Sequence, residues 1–242
     1  MSTPKTALVL GATGQVGGAL LRELLASSHF SRVAEFGRKT TNLETLTTGK
    51  DKLEQHKIDF DNIDSAALKA GNWDVVYIAL GTTAKAAGST EAFERIDREY
   101  VINAARAAKT DSPQRLVYVS SAGADPKSRF LYVRSKGLTE EGLASLGYQD
   151  TIVFRPAVLA GVNRSETRIG EGIARAVTGV LSHISSSLEI KIGTLAKSLV
   201  AAGVLGSSEL PPAAHANKAG RPDAPFTLID NAGALGLAKH QL

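Results

Sequence analysis

Short apolar runs alternate with amphipathic segments along the chain up to residue 157. The apolar runs predict β-strands at 6–11, 32–38, 56–60, 73–81, 115–121 and 151–157. Residues with helical spacing follow the first run and recur at 63–70, 91–109 and 129–147. Continuous apolar strands separated by helices are typical of a parallel sheet that is covered on both faces. Because such crossovers are right-handed, the pattern predicts an α/β fold with a Rossmann-like doubly wound parallel sheet.

The pattern changes after Pro156. From there it predicts, at about these positions, a helix at 168–184, a strand at 188–192, a helix at 194–205 and a strand at 226–230. The stretch 207–225 is rich in Pro, Ala and Gly and is predicted to be a surface loop. Roughly eighty residues are too few for an independent second domain. We therefore predict a single Rossmann domain over 1–242, in which 158–242 form a small C-terminal α/β cap on the substrate side.

The predicted helix at 168–184 carries one apolar stripe, which includes Ile169, Ile173, Val177 and Leu181. Packing of this stripe inside the cap is favoured, because its polar face is only modestly basic. A helix that lies on a membrane surface and a homodimer face are the alternatives.

Composition narrows the function classes. With 43% apolar and 21% charged residues the chain should have an ordinary packed core. The net charge is +4, but the longest basic run is the pair Arg38-Lys39, so no nucleic-acid partner is expected. The chain has no cysteine, which excludes disulfides and thiolate chemistry and is compatible with a reducing compartment.

The sequence also argues against a metal site and against a membrane-spanning segment. The five histidines lack metal-ligand spacing, so no metal site is expected. No apolar run is long enough to cross a bilayer, and the first predicted strand begins too early for a signal or transit peptide. These features predict a cytoplasmic location.

The segment "GATGQVG" comes directly after the first predicted strand and opens an amphipathic helix. Its three glycines, Gly11, Gly14 and Gly17, suit a tight turn, close approach of a pyrophosphate and close helix–strand packing. The N-terminus of the following helix offers free amides and a positive dipole end to phosphate. A plain packing turn is the alternative, but the position favours a dinucleotide site.

The end of the second strand favours NADP(H) over NAD(H). A protein that binds NAD would have an acidic residue here for the ribose 2′-hydroxyl, whereas this chain has Arg38 and Lys39. A guanidinium can bind a 2′-phosphate through two hydrogen bonds. The alternative for Arg38 is a solvated loop cation. Asp59, at the end of the third predicted strand, fits either an adenine neighbour or the cap of the following helix.

The segment "FLYVRSKG" contains Tyr132 and, four residues later, Lys136. On a helix this spacing puts both side chains on one face, where an ammonium would lower the pKa of the phenol. Tyr132 is therefore a candidate general acid for a carbonyl oxygen, and Lys136 its electrostatic partner and a ligand of the nicotinamide ribose. Ser121, at the end of the fifth predicted strand, is a candidate for orienting the carbonyl, and Ser120 is the weaker candidate.

These motifs resemble the short-chain dehydrogenases/reductases in their atypical branch. Together with "EFGRK", "ALGTTAKAAG", "RIDREYV" and "VFRPAVL", they are similar to the HIV Tat-interacting oxidoreductase family, over about residues 6 to 170. That family has a fungal branch described as a mitochondrial outer-membrane protein. Peripheral attachment to that membrane is therefore the alternative location.

The resemblance implies cofactor contacts within the matching motifs. Besides Gly14, the implied residues are Thr13, Gln15, Val16, Arg38, Lys39, Leu80, Gly81, Tyr132, Lys136, Leu159 and Arg168. Thr82 and Pro156 are further candidates from the same motifs. The chain departs from the family at Ala84, where an arginine is common, and its stretch leading to Arg168 is one residue longer.

The first functional hypothesis is an NADPH-dependent reductase of an aldehyde, a ketone or a related carbonyl. The second is an NADPH-sensing regulator or scaffold, because the resemblance implies protein partners such as import receptors and transcription factors. Retention of Tyr132 and Lys136 favours the reductase, since a sensor needs no general acid. A sugar-nucleotide epimerase or dehydratase is the third hypothesis, and the short C-terminal part argues against it.

Overall fold

The structure, a computed structural model, describes residues 3–160, 189–240 and 242. The strands are β1 (Lys5–Leu10), β2 (Phe30–Gly37), β3 (Leu53–Lys57), β4 (Val75–Ile78), β5 (Arg115–Val119), β6 (Asp150–Arg155), β7 (Val158–Ala160), β8 (Glu189–Lys191), β9 (Asn217–Arg221) and β10 (Ala224–Asp230). The helices are α1 (Gln15–Ala26), α2 (Ser65–Lys69), α3 (Ala84–Ala87), α4 (Thr90–Glu94), α5 (Tyr100–Ala108), α6 (Leu131–Ala144), α7 (Ile192–Leu205) and α8 (Asn231–Leu237). A π-helical turn, Arg95–Glu99, joins α4 to α5.

The main sheet has the strand order β3-β2-β1-β4-β5-β6-β10-β9. All neighbours pair in parallel except β10 with β9, which are antiparallel. The first six strands follow the Rossmann order. In this order β2 and β3 lie on one side of β1, and the chain then crosses back to place β4, β5 and β6 on the other side. The prediction of a doubly wound parallel sheet is therefore confirmed.

Two apolar layers cover the sheet. Within β4, Val75 and Tyr77 face one layer, while Val76 and Ile78 face the other. Helices α1, α7 and α8 pack on the first face, and α2, α5 and α6 pack on the second. Because both faces of the central strands are buried, strands such as β4 and β5 have no polar side, which explains their continuous apolar runs.

The C-terminal part joins the sheet more closely than the pattern suggested. The predicted last strand becomes β10, which pairs in parallel with β6, and β9 adds an antiparallel edge within the predicted loop. β7 and β8 form a separate two-stranded sheet. The prediction of a loop throughout 207–225 is wrong at β9, because its sequence "NKAGR" lies exposed on the sheet edge and needs no apolar side chains. The predicted helix at 168–184 lies outside the described residues.

The segments that follow the parallel strands meet at one edge of the sheet. They include the glycine turn after β1, the loop after β4 and the start of α6 after β5. In open α/β sheets ligands bind at this carboxyl edge, beside the switch point. In the part of the chain that the structure describes, no helix is long and apolar enough to cross a membrane.

Candidate functional site

The glycine turn packs without room for side chains. Gly11 has φ of +93°, and a Cβ there would lie 2.6 Å from the carbonyl oxygen of Ala79. A Cβ on Gly17 would lie only 2.0 Å from the carbonyl oxygen of Gly11. Gly14 donates to the Gly11 carbonyl over 3.0 Å and stands as the N-cap of α1, whose first turn contains no acidic side chain. Because the turn has no side chains, a ligand can come close to the N-terminus of α1, which also lacks negative charge. Such a helix N-terminus fits a pyrophosphate.

Substitution of Gly17 by alanine should destabilise the protein and weaken dinucleotide binding. The added Cβ meets backbone that cannot rotate away, so α1 must shift from the turn at a cost of about 1–3 kcal/mol. Gly193→Ala is the matched control, because none of the described residues lies within 4 Å of a Cβ at that helical position. Alanine there should stabilise α7 by roughly 0.5–1 kcal/mol. Urea unfolding of both variants measures the difference, and equal stabilities would contradict the packing argument.

Candidate cofactor residues from the same motif lie around the turn. Thr13 is exposed, while Gln15 and Val16 are half-buried in the first turn of α1. Val16 also packs against the apolar layer that contains α1. These residues therefore lie beside the glycine turn and at the start of α1, and their contact with a cofactor stays a prediction.

The cationic pair after β2 is presented by an anchored loop. Arg38 and Lys39 are exposed. The carboxylate of Glu35, itself 1% exposed, accepts from the backbone and hydroxyl of Thr41, each over 2.8 Å. Gln55 of β3 also donates to Glu35. The loop is thus fixed to β2 and β3 while both cations face solvent.

Asp59 organises its own loop. Its carboxylate accepts from the backbone N–H of Asp61 and the side-chain amide of Asn62, each over 3.0 Å. The hydrogen bond from Asn62 is the main reason that the pKa of Asp59 is lowered. These contacts cap the turn at 59–62 and leave the start of α2, at Ser65, without Asp59. The predicted adenine contact stays a prediction.

The loop after β4 connects the glycine turn to the Tyr132 region. The backbone of Ala79 and Leu80 lies against Gly11. A Cβ on the next residue, Gly81, would lie 3.3 Å from Oδ1 of Asp97 and 3.4 Å from Nζ of Lys136. Candidate phosphate and candidate catalytic residues therefore form one continuous edge.

Tyr132 and Lys136 lie in α6, one turn apart. Tyr132 is half-buried, and its ring centroid lies 6.1 Å from that of Phe93. Nζ of Lys136 lies 5.9 Å from the Tyr132 ring centroid. The predicted pairing of phenol and ammonium is thus present in the structure, with the ammonium on the face of the ring.

Lys136 is buried, with 4% of the residue exposed. Its Nζ lies 3.0 Å from Oδ1 of Asp97 and donates to the hydroxyl of Tyr118 over 3.2 Å. Burial opposes the charged form, but the negative charge of Asp97, with lesser contributions from Tyr118 and Tyr132, raises the pKa of Lys136 well above its usual value. Lys136 is therefore held as an ammonium.

The two serines after β5 have different partners. Ser120 donates to the Glu140 carboxylate of α6 over 2.5 Å, and Arg155 of β6 also donates to Glu140 through Nε and Nη2. Within the part of the chain that the structure describes, the hydroxyl of Ser121 makes one long contact, 3.4 Å, to the carbonyl of Ala122. The buried Ser120–Glu140–Arg155 cluster fixes α6 against β5 and β6, and Ser121 is the serine less engaged in structure.

The remaining candidates lie on the same side. Thr82 donates its backbone N–H to Asp97 over 3.4 Å. Pro156 is buried and accepts at its carbonyl from Ala122 over 2.9 Å, while Leu159 is half-buried in β7. Arg168 lies outside the described residues.

Sequence reasoning missed Asp97, Tyr118 and Glu140. Asp97 had a visible signal, because it falls on the apolar stripe that continues through Val101, Ala104, Ala105 and Ala108. A carboxylate on a buried stripe requires a partner. Tyr118 and Glu140 gave no such signal. A tyrosine is ordinary in an apolar strand such as β5, and a glutamate is ordinary in a polar helix such as α6.

The sequence of this chain is similar to a known family and to known proteins. A family model described as NAD(P)H-binding matches residues 11–182. Rat (Rattus norvegicus) protein HTATIP2 is 37% identical over 177 residues, which cover 73% of this chain and 72% of that protein. Protein fmp52, mitochondrial, of Emericella nidulans is 34% identical over 182 residues, which cover 75% of this chain and 78% of that protein.

Solved structures agree on the fold. MoeE5 in complex with UDP-glucose and NAD aligns with a TM-score of 0.62 at 18% identity, over 84% of this chain and 73% of that chain. A UDP-glucuronic acid 4-epimerase from Bacillus cereus, in complex with NAD, aligns with a TM-score of 0.63 at 15% identity, over 84% and 75%. At such identities the likeness concerns the fold alone.

Proposed function

The chain belongs to the atypical short-chain dehydrogenase/reductase family of HTATIP2 and the fungal FMP52 proteins, and on that premise we propose that it is an NADPH-dependent carbonyl reductase. It binds a nicotinamide cofactor, as the NAD(P)H-binding family model indicates. The observation that carries the proposal is the Tyr132–Lys136 pair, which lies on the same sheet edge as the glycine turn.

In this proposal the residues of the carboxyl edge would hold the cofactor. The glycine turn and the start of α1 would bind the pyrophosphate, and Arg38 with Lys39 would bind the 2′-phosphate of NADP(H). Lys136, behind Gly81, would bind the nicotinamide ribose. When bound, the cofactor would supply hydride for the substrate carbonyl carbon.

The side chains of this chain handle the proton and the orientation. Tyr132 donates its phenolic proton to the carbonyl oxygen, on which negative charge would otherwise develop. The Lys136 ammonium stabilises the phenolate that remains. Ser121 hydrogen-bonds the same carbonyl oxygen and orients it. Tyr132 is re-protonated from solvent before the next turnover.

The proposed site of action is the cytoplasm. Peripheral attachment to the mitochondrial outer membrane is the alternative, and its support is that the fungal relatives are named mitochondrial. A homodimer or another protein partner is compatible with either location.

NADPH oxidation across a panel of aldehydes, ketones and quinones tests the proposal. Turnover of at least one carbonyl by the native protein is the expected result, followed at 340 nm with product identification. Tight NADPH binding without turnover of any panel compound would overturn the reductase assignment and favour the cofactor-sensing role.

Arg38→Ala tests the choice of cofactor. Loss of a charge-assisted hydrogen bond to phosphate costs about 1.5–3 kcal/mol, so NADPH affinity should fall roughly 10- to 100-fold. NADH affinity should change by less than about threefold, because NADH has no 2′-phosphate. Fluorescence titration with both cofactors measures the difference. Lys50→Ala, an exposed cation near the far end of α1, is the control and should change neither affinity. Tighter NADH than NADPH binding by the native protein would contradict the assignment.

A further inference from the structure

Asp97 lies inside the protein, where a carboxylate is costly unless it is paired. It is 0% exposed and lies in the π-helical turn between α4 and α5. Such turns are rare and are frequent at functional sites. Its Oδ1 faces Nζ of Lys136 at 3.0 Å and the backbone N–H of Thr82 at 3.4 Å. Oδ2 accepts from the hydroxyl of Ser135 over 3.4 Å.

We propose that Asp97 is a positioning residue of the site: its carboxylate keeps Lys136 charged and fixes the ammonium between Gly81 and the face of Tyr132. The inference deepens the proposed function and rests on it for its kinetic test. Without Asp97 the ammonium would lie in an apolar layer with the Tyr118 hydroxyl as its described polar partner.

Each element around Lys136 contributes to this arrangement. Asp97 faces it from the π-helical turn, Tyr118 from β5 and Tyr132 from α6 itself. Glu140, one turn further along α6, is bound by Arg155. The loop after β4 approaches through Gly81, which has no side chain. Among the described residues, Asp97 is therefore the carboxylate nearest to the Lys136 ammonium that is not already paired with another cation.

The pair also limits how strongly Lys136 acts on Tyr132. A lone ammonium would favour the phenolate, whereas an ammonium bound to a carboxylate acts more weakly at the same distance. The Asp97 carboxylate therefore weakens the electrostatic effect of the Lys136 ammonium on the Tyr132 ring.

Asp97→Asn tests the inference, because it removes the charge and keeps the shape. Burial then acts on Lys136 without the opposing carboxylate, so the pKa of Lys136 falls and the ammonium that stabilises the Tyr132 phenolate is lost at lower pH. Turnover should therefore be lost at lower pH as well. The alkaline limb of kcat, measured with the fastest panel substrate, should move down by about one to three pH units. Asp97→Glu should restore part of this shift.

A second measurement does not depend on turnover, and its native-protein arm does not depend on Asp97→Asn. The ¹³Cε resonance of Lys136, assigned by its absence in Lys136→Met, should titrate above the ordinary lysine range in the native protein, because the Asp97 carboxylate favours the charged form. In folded Asp97→Asn, checked by thermal melting, it should titrate at lower pH. Titration of Lys136 near its ordinary value in the native protein would overturn the inference, as would an Asp97→Asn profile lowered equally at every pH. A panel without turnover would overturn the proposed function alone, since the resonance still reports on Asp97.

Discussion

Replacement of Tyr132 by phenylalanine should lower kcat for carbonyl reduction about 10²- to 10⁴-fold, the usual contribution of a positioned general acid. The ring stays, so its contact with Phe93 and its place over the Lys136 ammonium are kept. The proton donor alone is lost. NADPH affinity should change by less than about threefold, because the phenol acts on the substrate oxygen in the transition state. Steady-state kinetics and fluorescence titration measure the two quantities.

Tyr148→Phe is the matched control. The hydroxyl of Tyr148, which lies between α6 and β6, donates to the carbonyl of Ala105 in α5 over 2.7 Å, outside the site. Its removal costs a buried hydrogen bond, about 1 kcal/mol of stability, but turnover should stay within about twofold. Retention of more than roughly half the native kcat by Tyr132→Phe would rule out the phenol as the proton donor.

The sequence predicted those parts of the fold whose signals are local. Strands buried on both faces, such as β4 and β5, appear as apolar runs whatever their neighbours are. β3 was predicted at 56–60 and lies at Leu53–Lys57, because it is half-exposed and polar and has no such run. β9 escaped prediction for the same reason. Edge strands are defined by backbone pairing, which leaves little trace in composition.

The site divides in the same way. The glycine turn and the Tyr132–Lys136 pair are encoded by spacing within one segment, so they could be predicted. The partner of Lys136 could not, because Asp97 comes from another helix and meets it only when α5 and α6 pack on one face of the sheet. Tyr118 reaches Lys136 from β5 in the same manner. Spacing along the sequence identifies residues of one segment that lie together, such as Tyr132 and Lys136. Tertiary packing brings Asp97 to Lys136 and thereby determines the charge of Lys136.

Substitution of Lys136 by methionine should destabilise the fold by about 3–5 kcal/mol, since removal of one partner leaves a buried charge without compensation. Arg221→Met provides the comparison. Arg221 and Asp223 are also 3.0 Å apart, but their side chains are 47% and 71% exposed. An exposed pair contributes about 0–1 kcal/mol, so this variant should be nearly as stable as the native protein. Distance is thus held constant while burial differs.

Adding Asp97→Asn to Lys136→Met separates the buried charge from the lost packing. The double variant should be more stable than Lys136→Met alone, because the carboxylate that lacks a partner is gone. Urea unfolding at neutral pH gives the free energies of unfolding of the native protein, Lys136→Met, Arg221→Met and the double variant. Equal costs for Lys136→Met and Arg221→Met would mean that water reaches the Asp97 carboxylate and screens it as at the surface. The expected larger cost of Lys136→Met instead means that the buried Asp97 carboxylate keeps the ammonium in place beside Tyr132. Its charge then needs no cofactor to be in place.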